Sequence, residues 1–596
     1  MQSVAEWESF FNGFKANLAP FVYDGGESLT ITEEHPTVHP EQTAWARQMR
    51  RGIYMPVEGR VYVAVGYQLC SPTMVVGDDG VIIIDPGFND AVAGDAFADL
   101  RRFSDLPVKA VVYTHRHPDH CFAIKGLGIT EADVSEGRVQ VIAHETFVEW
   151  LINDSSLIAP ILGARSSLAT VVPNGPEGAV HGGLGSLFSP GPVSTIMPTL
   201  TVGESRDVEI AGVRMHLFAA YGDAQDEIDL WFPDLGHVHG SETIQGETFP
   251  NLYTLRGTSY RDVEAWREGV DRLLAVATEA SSYSGSHMRP WVGNEFIVER
   301  ITNYRDAIQF LHDQSVRHMN KGYTRDELVD AVAKQLPPHL EMDPWLQPYY
   351  GTPEHSVKAI YDGLLGWYQG DPTELAVPEY HDRAARYVDA LGGRDAVLGR
   401  AREAINAGDH GWAMDLLTHL VRVDTSDEEA RRLKAEAMRQ WGFGQKNMYW
   451  RNLALGGAAE LEDTIDDNRR LSFEPPDILR VLPPVKLVER LRVQIDPARA
   501  TDAHHTVGFR FTDDGVDCAI EVRRGVAVMR DVIPDDTAAT VVTTAAAARE
   551  IIASGQELSE ILDHPATSIE GKRAAADLFF TYFDMTPPPP VKLVVR

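Results

Sequence analysis

Thr114-His115-Arg116-His117-Pro118-Asp119-His120 is the stretch that decides the reading of this chain. Three imidazoles and a carboxylate fall within six residues. Imidazole nitrogen and carboxylate oxygen together suit zinc or a similar divalent cation. In an extended loop, His115 and His117 point the same way. Asp119 and His120, at the start of a helix, point to a neighbouring position. One cation can take the first pair and a second cation the other. Two cations about 3.5–4 Å apart can hold an attacking water and a leaving oxygen together.

Working outward, the cluster follows Val108-Lys109-Ala110-Val111-Val112-Tyr113, a buried-strand pattern. Before it come Val61-Tyr62-Val63-Ala64-Val65, Thr73-Met74-Val75-Val76 and Val81-Ile82-Ile83-Ile84, with a turn at Gly77-Asp78-Asp79-Gly80. A helical stretch separates the last of these from residue 108. After the cluster, strands are expected at 140–143, 208–210, 213–218 and 229–232. A strand that ends in a ligand loop and a helix is where an α/β fold carries its chemistry. Residues 161–198 are rich in Gly, Pro and Ser and read as a long loop over the site. The first 60 or so residues show no clear pattern.

Beyond residue 294 the spacing turns helical, at 299–320, 325–335, 381–391, 394–407, 411–421 and 427–440. Beyond 475 it changes again. Strands are expected at 491–495, 506–511 and 516–522, and helices at 545–554 and 571–582, which make a separate small α+β domain. Pro587 to Pro590 reads as an extended tail. With 596 residues, two to four domains are expected. The divisions fall at 1–300 for the catalytic domain with its N-terminal extension, 301–460 for a helical domain and 470–596 for the last.

Lys and Arg number 54 against 87 Asp and Glu, a formal charge of -33. That balance argues against nucleic acid or an anionic membrane as the main partner. An anionic substrate would need a local positive site, which cations and a few arginines can build. Three cysteines, Cys70, Cys121 and Cys518, support no disulfide framework. No stretch approaches the ~20 apolar residues of a membrane span. The opening residues carry no secretory pattern, so a cytoplasmic location is expected.

The remaining metal ligands must come from later in the chain. Asp223 in Tyr221-Gly222-Asp223-Ala224, Glu242 in Gly240-Ser241-Glu242-Thr243 and His287 in Gly285-Ser286-His287-Met288 each occupy a turn of small residues. Such turns let backbone approach a metal, and spacing leaves open which of the three ligate. Asp85, ending a strand at Ile84-Asp85-Pro86-Gly87, either orients a ligand histidine or caps the turn. His237 and His239 form a second HxH near Glu242, expected in a hairpin away from metal. His181 is expected to be an ordinary loop histidine.

These motifs together resemble the metallo-β-lactamase fold, and within it the zinc-dependent alkyl sulfatases. The narrower resemblance rests on Pro250-Asn251-Leu252-Tyr253-Thr254-Leu255-Arg256-Gly257 followed by Arg261-Asp262 and Trp266. Leu311-His312-Asp313-Gln314-Ser315, Tyr349-Tyr350-Gly351-Thr352, His355-Ser356-Val357-Lys358-Ala359-Ile360-Tyr361 and Leu365-Gly366-Trp367-Tyr368 add to it. The resemblance implies an αββα sandwich, then a helical dimerisation domain, then a sterol-carrier-like α+β domain. It implies two zinc ions per chain. His115, His117 and Asp223 would hold the first, Asp119, His120 and His287 the second, and Glu242 would bridge them. It implies a homodimer, with Arg256 and Asn251 binding the sulfate of an ester that carries an apolar chain.

Two departures are visible. Asp223 stands where the family more often has Glu, so a shorter carboxylate must reach the metal. The segment Ala164-Arg165-Ser166-Ser167-Leu168-Ala169-Thr170 lacks the tyrosine usual near there. Three functions follow. The first is hydrolysis of an alkyl sulfate to alcohol and sulfate. The second is action on another ester, such as a phosphoester, a lactone or a biosynthetic intermediate. The third is a non-enzymatic lipid-binding dimer, against which the intact set of seven metal-binding side chains argues. The last domain offers either an apolar groove for the alkyl chain or a structural role.

Overall fold

The computed structural model describes residues 2–154, 157–471, 476–585 and 591–596. Two compact units emerge: Met1–Val148 with Leu162–Leu471 and Lys592–Arg596, and Glu149–Ile161 with Ser472–Val591.

Two sheets make the heart of the first unit. The larger takes its strands in sequence order, Phe21–Asp24, Gly52–Val57, Val61–Val65, Thr73–Val76, Val81–Ile84, Val108–Val112, Gln140–His144 and Leu200–Val202. Neighbours are antiparallel as far as Val81–Ile84 and parallel beyond it. Val81–Ile84 and most of Val108–Val112 are apolar, β-branched and buried, as strands covered on both faces must be. The second sheet runs Trp291–Val292, Ser282–Ser284, His237–His239, Ile228–Phe232, Val213–Ala219 and Ser205–Ile210. Its only parallel pair joins His237–His239 to Ser282–Ser284.

The sheets face each other across one apolar layer. Val61, Val75, Ile82, Ile84, Ala110 and Val112 of the first meet Met215, Leu217, Leu230 and Phe232 of the second. The outer face of the second sheet is covered by the helices Val263–Ala277 and Asn294–Met319. The first of these turns Val263, Trp266, Val270, Leu273 and Ala277 inward at helical spacing. Asp262 starts it by accepting from the amides of Glu264 and Ala265. This is the expected α/β sandwich.

Five successive helices, Tyr380–Ala390, Arg394–Asn406, His410–Val423, Glu428–Phe443 and Met448–Leu461, pack around Val397, Leu398, Leu416, Leu420, Leu433 and Ala458. In the second unit, the strands Val526–Arg530, Val516–Arg523, His504–Phe511, Ala539–Thr543 and Ser568–Gly571 form a sheet in that order. The helices Ala545–Ala553 and Arg573–Phe580 complete the α+β domain, with Phe509, Phe579 and Phe580 clustered edge to face.

Several expectations need correction. Residues 491–495 are not a strand. Leu487, Val488 and Leu491 are buried at helical spacing and Val493 is 61% exposed, so the chain continues the helix Pro484–Glu489 into a short helical turn, Arg490–Val493. The long loop from residue 161 opens as the end of a helix, Ala159–Ser167. Pro160 falls in its first turn, where the missing N–H costs nothing. The helix expected at 325–335 is divided into Glu327–Ala331 and a tighter turn, Ala333–Gln335. The unread N-terminal segment supplies two strands to the large sheet and the helices Val4–Asn12 and Pro40–Gln48. The proline run 587–590 lies outside the described residues. All three cysteines are buried thiols, and no helix among the described residues is long and apolar enough to cross a membrane.

Two helical glycines separate packing from propensity. A Cβ on Gly456 would meet the backbone carbonyl of Leu168, whereas one on Gly399 meets nothing within 4 Å. Alanine raises helix propensity by about 1 kcal/mol at either site, but a backbone carbonyl cannot swing aside and overpacking costs about 1–3 kcal/mol. We therefore expect Gly399→Ala to raise the urea midpoint of the first unit and Gly456→Ala to lower it.

Candidate metal centre

The strand Val81–Ile84 ends at Asp85, a non-glycine residue held at φ 52°. That conformation is uncommon for a side-chain-bearing residue. Its carboxylate is fully buried and takes four donors. Oδ1 accepts from the Thr114 amide at 2.9 Å. Oδ2 accepts from Thr114 Oγ1 at 2.8 Å, His120 Nδ1 at 2.8 Å and Ser286 Oγ at 2.9 Å. Burial pushes the Asp85 carboxyl up, but His120 and these donors hold it below its ordinary range. Asp85 therefore orients a histidine of the cluster, the first of its two expected roles.

The histidine loop opens at the end of Val108–Val112, and Pro118 then starts a one-turn helix, Pro118–Cys121. His115 Nε2 and His117 Nδ1 lie 2.9 Å apart. His117 Nδ1 is also 2.9 Å from Asp223 Oδ2, and His115 Nε2 is 4.0 Å from Glu242 Oε2. Nearby, His120 Nε2 and His287 Nε2 each lie 3.4 Å from Asp119 Oδ2, and both face Glu242 Oε1. Two groups result, His115-His117-Asp223-Glu242 and Asp119-His120-Glu242-His287, each with its potential ligand atoms within 4.8 Å of one another. A tetrahedron with ligand bonds of about 2.0–2.2 Å has edges of roughly 3.3–3.6 Å, and the 3.4 Å separations of Asp119 Oδ2 from His120 Nε2 and His287 Nε2 fall in that range.

Protonation logic supports a cation here. His287 Nδ1 donates to the Leu69 carbonyl at 2.9 Å, and His120 Nδ1 donates to Asp85. Thr114 gives its hydroxyl proton to Asp85, so it accepts from His115 Nδ1 at 3.1 Å. In all three neutral rings Nε2 then carries a lone pair. Although His120 Nε2 and His287 Nε2 are close to Glu242, both are buried without a satisfactory hydrogen bond. Lone pairs that face a carboxylate repel it, and a divalent cation between them turns repulsion into ligation. Three buried carboxylates, Asp119, Asp223 and Glu242, likewise call for positive charge. Without a cation the histidines would have to supply it. Burial disfavours a charged His120, yet Asp119 and Asp85 push its pKa well above the ordinary value. Glu242 and Asp119 similarly raise His287 against burial.

Asp223, though shorter than glutamate, reaches the cluster because a buried frame draws it in. Its Oδ1 accepts from the Arg261 guanidinium and from Gln245 Nε2. Gln245 Oε1 in turn accepts from the Asn251 amide at 2.6 Å, and Arg261 also donates to the Asn251 carbonyl. Further pairs brace the surrounding loops. Arg116 meets Asp226 at 2.6 Å, and Arg289 grips Glu247 through two nitrogens at 2.8 and 2.6 Å.

The two expected anion-binding residues lie on the following loop. Asn251 is buried, and its Nδ2 has no partner. Arg256 is partly exposed and donates to Thr254 Oγ1 at 2.9 Å. Its charge reaches Asp223, His117, Tyr350 and Tyr449. Arg165, from the helix that occupies the tyrosine-free segment, donates to the Leu255 carbonyl at 2.8 Å.

His237 and His239 stand on a buried strand bonded to Ser282 and Ser284, and neither belongs to a metal group among the described residues. Buried His181 lies against Trp45, ring centroids 4.5 Å apart and tilted by 35°, and accepts from the Gly183 amide.

Three family models match the chain: the metallo-beta-lactamase superfamily over residues 66–212, alkyl sulfatase dimerisation over 324–464 and the alkyl sulfatase C-terminal domain over 472–590. A linear primary-alkylsulfatase from a Pseudomonas species is 39% identical over 77% of this chain and 88% of that protein. The chain belongs to the alkyl sulfatase family. An (R)-specific secondary-alkylsulfatase from a Pseudomonas species is 29% identical over 88% of this chain and 82% of its own length. The solved structure of the stereoselective inverting sec-alkylsulfatase Pisa1 from Pseudomonas sp. superimposes with a TM-score of 0.88 at 26% identity, covering 99% of this chain and 98% of that one. The metallo-beta-lactamase fold shared by the family implies divalent metal, and the donor set described above fits one.

Sequence reasoning assigned no role to several residues that stand beside Asn251 and Arg256. His355, Tyr350, Tyr449 and Trp450 come from the segment matched by the dimerisation model. They reach the site because residues 347–350 run beside 248–249. Phe249 donates to the Gln347 carbonyl at 2.9 Å, and Tyr350 donates to Thr248 Oγ1 at 3.0 Å. The quoted motifs Tyr349-Tyr350-Gly351-Thr352 and His355-Ser356 were the available signal, but no spacing rule connects them to Asn251 a hundred or so residues earlier.

Replacing Asp85 with asparagine would set an amide N–H₂ against donors. We expect Asp85→Asn to weaken divalent-metal binding by about 10–100-fold, the range for a lost partner of a ligand histidine. Metal per chain after dialysis against a graded chelator checks this. Unchanged retention would show that His120 needs no orientation from Asp85.

Proposed function

We propose that this protein hydrolyses alkyl sulfate esters to an alcohol and inorganic sulfate at a centre of two zinc ions. The observation that carries this is the juxtaposition of two groups of metal donors with Asn251 and Arg256 in a chain of the alkyl sulfatase family. His115, His117 and Asp223 would hold one ion, Asp119, His120 and His287 the other, and Glu242 both. Bound zinc supplies Lewis acidity and makes hydroxide available from water near neutral pH.

The chain's own residues do the rest. Asp85, Thr114 and the Leu69 carbonyl keep three imidazoles in the tautomer that presents Nε2. Arg256 offers a planar fork to two sulfate oxygens, and Asn251 Nδ2 donates to a third. The negative charge that builds on sulfate as the ester breaks is met by donors already in place. The division into domains at 1–300, 301–460 and 470–596 and a cytoplasmic location belong to the same reading.

A homodimer belongs to it as well. Leu364, Leu365, Trp367, Leu375, Val377 and Tyr380 are 44–66% exposed within the segment matched by the dimerisation model. So much apolar surface in one region fits burial by a second copy. Trp367→Glu with Leu375→Asp is expected to halve the mass in light scattering. A dimer that survives both substitutions would place the interface elsewhere.

For the chemistry, Arg256→Ala should lower kcat/KM for dodecyl sulfate by about 100-fold or more with metal content unchanged. A panel that adds a secondary alkyl sulfate, an aryl phosphate and a lactone tests the substrate class. Turnover of the phosphate or lactone with no sulfate ester hydrolysed would overturn the reading.

A further inference from the structure

Asn251 can serve an anion only if its amide points the right way round, since one end donates and the other repels. The structure contains a device that decides this. Trp450 Nε1 is a donor only and lies 3.2 Å from His355 Nδ1. That nitrogen must therefore accept, which leaves the ring proton on Nε2. His355 Nε2 lies 2.8 Å from the Asn251 side chain, so the atom it meets must be the carbonyl oxygen, Oδ1. The N–H₂ end then faces the other way, buried and without a partner. Every link is set by its neighbour, and the sequence of donors and acceptors runs in one direction only.

We propose that Trp450 and His355 are positioning residues that lock the Asn251 amide with its N–H₂ group toward the substrate anion. The inference rests on the reading of Asn251 as a sulfate-binding group. His355 is suited to the role because it stays neutral. Burial, with the Arg261 charge adding to it, draws its pKa down to about 3. A neutral ring with two committed nitrogens relays orientation and exchanges no proton. Thr352 Oγ1, 3.1 Å from Nδ1 and accepting from the His355 amide at 3.2 Å, holds the ring from below. The helix Met448–Leu461, which carries Trp450, starts at Asn447, whose side chain accepts from the Trp450 amide. A segment matched as a dimerisation region thus sets the polarity of a group in the candidate site.

A double-mutant cycle on the metal-loaded full chain, assayed with dodecyl sulfate, tests this. Asn251→Ala and His355→Leu should each lower kcat/KM by about 10- to 100-fold, mainly through KM, with metal content unchanged. The double variant should be no worse than Asn251→Ala alone, because His355 acts only through that amide. His355→Gln, whose amide can donate to Oδ1 and accept from Trp450, should recover most of the loss. Trp450→Phe, a milder change that frees the tautomer, should reproduce part of it.

Multiplied effects in the double variant would show that His355 works independently of Asn251 and overturn the proposal. So would equal losses in His355→Gln and His355→Leu together with a vanished alkaline limb of the pH profile, since His355 would then be supplying a proton. If Asn251→Ala itself leaves the kinetics unchanged, the sulfate-binding role of Asn251 fails and the positioning role falls with it. A loss in Asn251→Ala with none in His355→Leu would overturn the positioning role alone and leave the sulfate-binding role of Asn251 standing.

Discussion

One buried carboxylate gathers the centre of this protein. Asp85 sits at a strained backbone position at the tip of a central strand and accepts from Thr114 twice, from His120 and from Ser286. Those partners belong to the histidine loop after the neighbouring strand and to the loop that leaves the opposite sheet with His287. The two sheets pack by an apolar layer, and directional bonds between their loops add to the registry that this packing sets. Four such bonds converge on one carboxylate, and they fix the tautomer of His120 at the same time.

Charge imposes the second constraint. The chain is strongly acidic, and its centre concentrates Asp119, Asp223 and Glu242 in a buried space. Such a site is costly to empty, which ties folding to cation binding. Around it, three buried arginines are each paired with a carboxylate: Arg116 with Asp226, Arg261 with Asp223, Arg289 with Glu247. Arg256 differs in being partly exposed, and its charge acts on Asp223 and His117.

The segment matched by the dimerisation model also packs against the candidate site. Its residues 347–355 lie along the loop that carries Asn251, and its helix Met448–Leu461 brings Trp450 to His355. Changes in how this segment packs would reach the loop that carries Asn251 directly.

The histidine loop was legible in the chain because its donors lie within a few residues, where strand and helix geometry alone sets their directions. The central strands were equally legible, since β-branched runs buried on both faces leave few alternatives. Residues 491–495 misled because alternation over five positions also fits a helical turn, and burial of Leu487, Val488 and Leu491 chose between them. What the sequence determined by itself was local: a cluster of metal donors on an α/β scaffold in an acidic chain. The meeting of His115 with Glu242, of His120 with His287 and of Asn251 with His355 was decided only by tertiary structure. Those partners are separated by a hundred residues or more, and the physics that joins them is the packing of whole sheets and the satisfaction of buried polar atoms, neither of which any local pattern encodes.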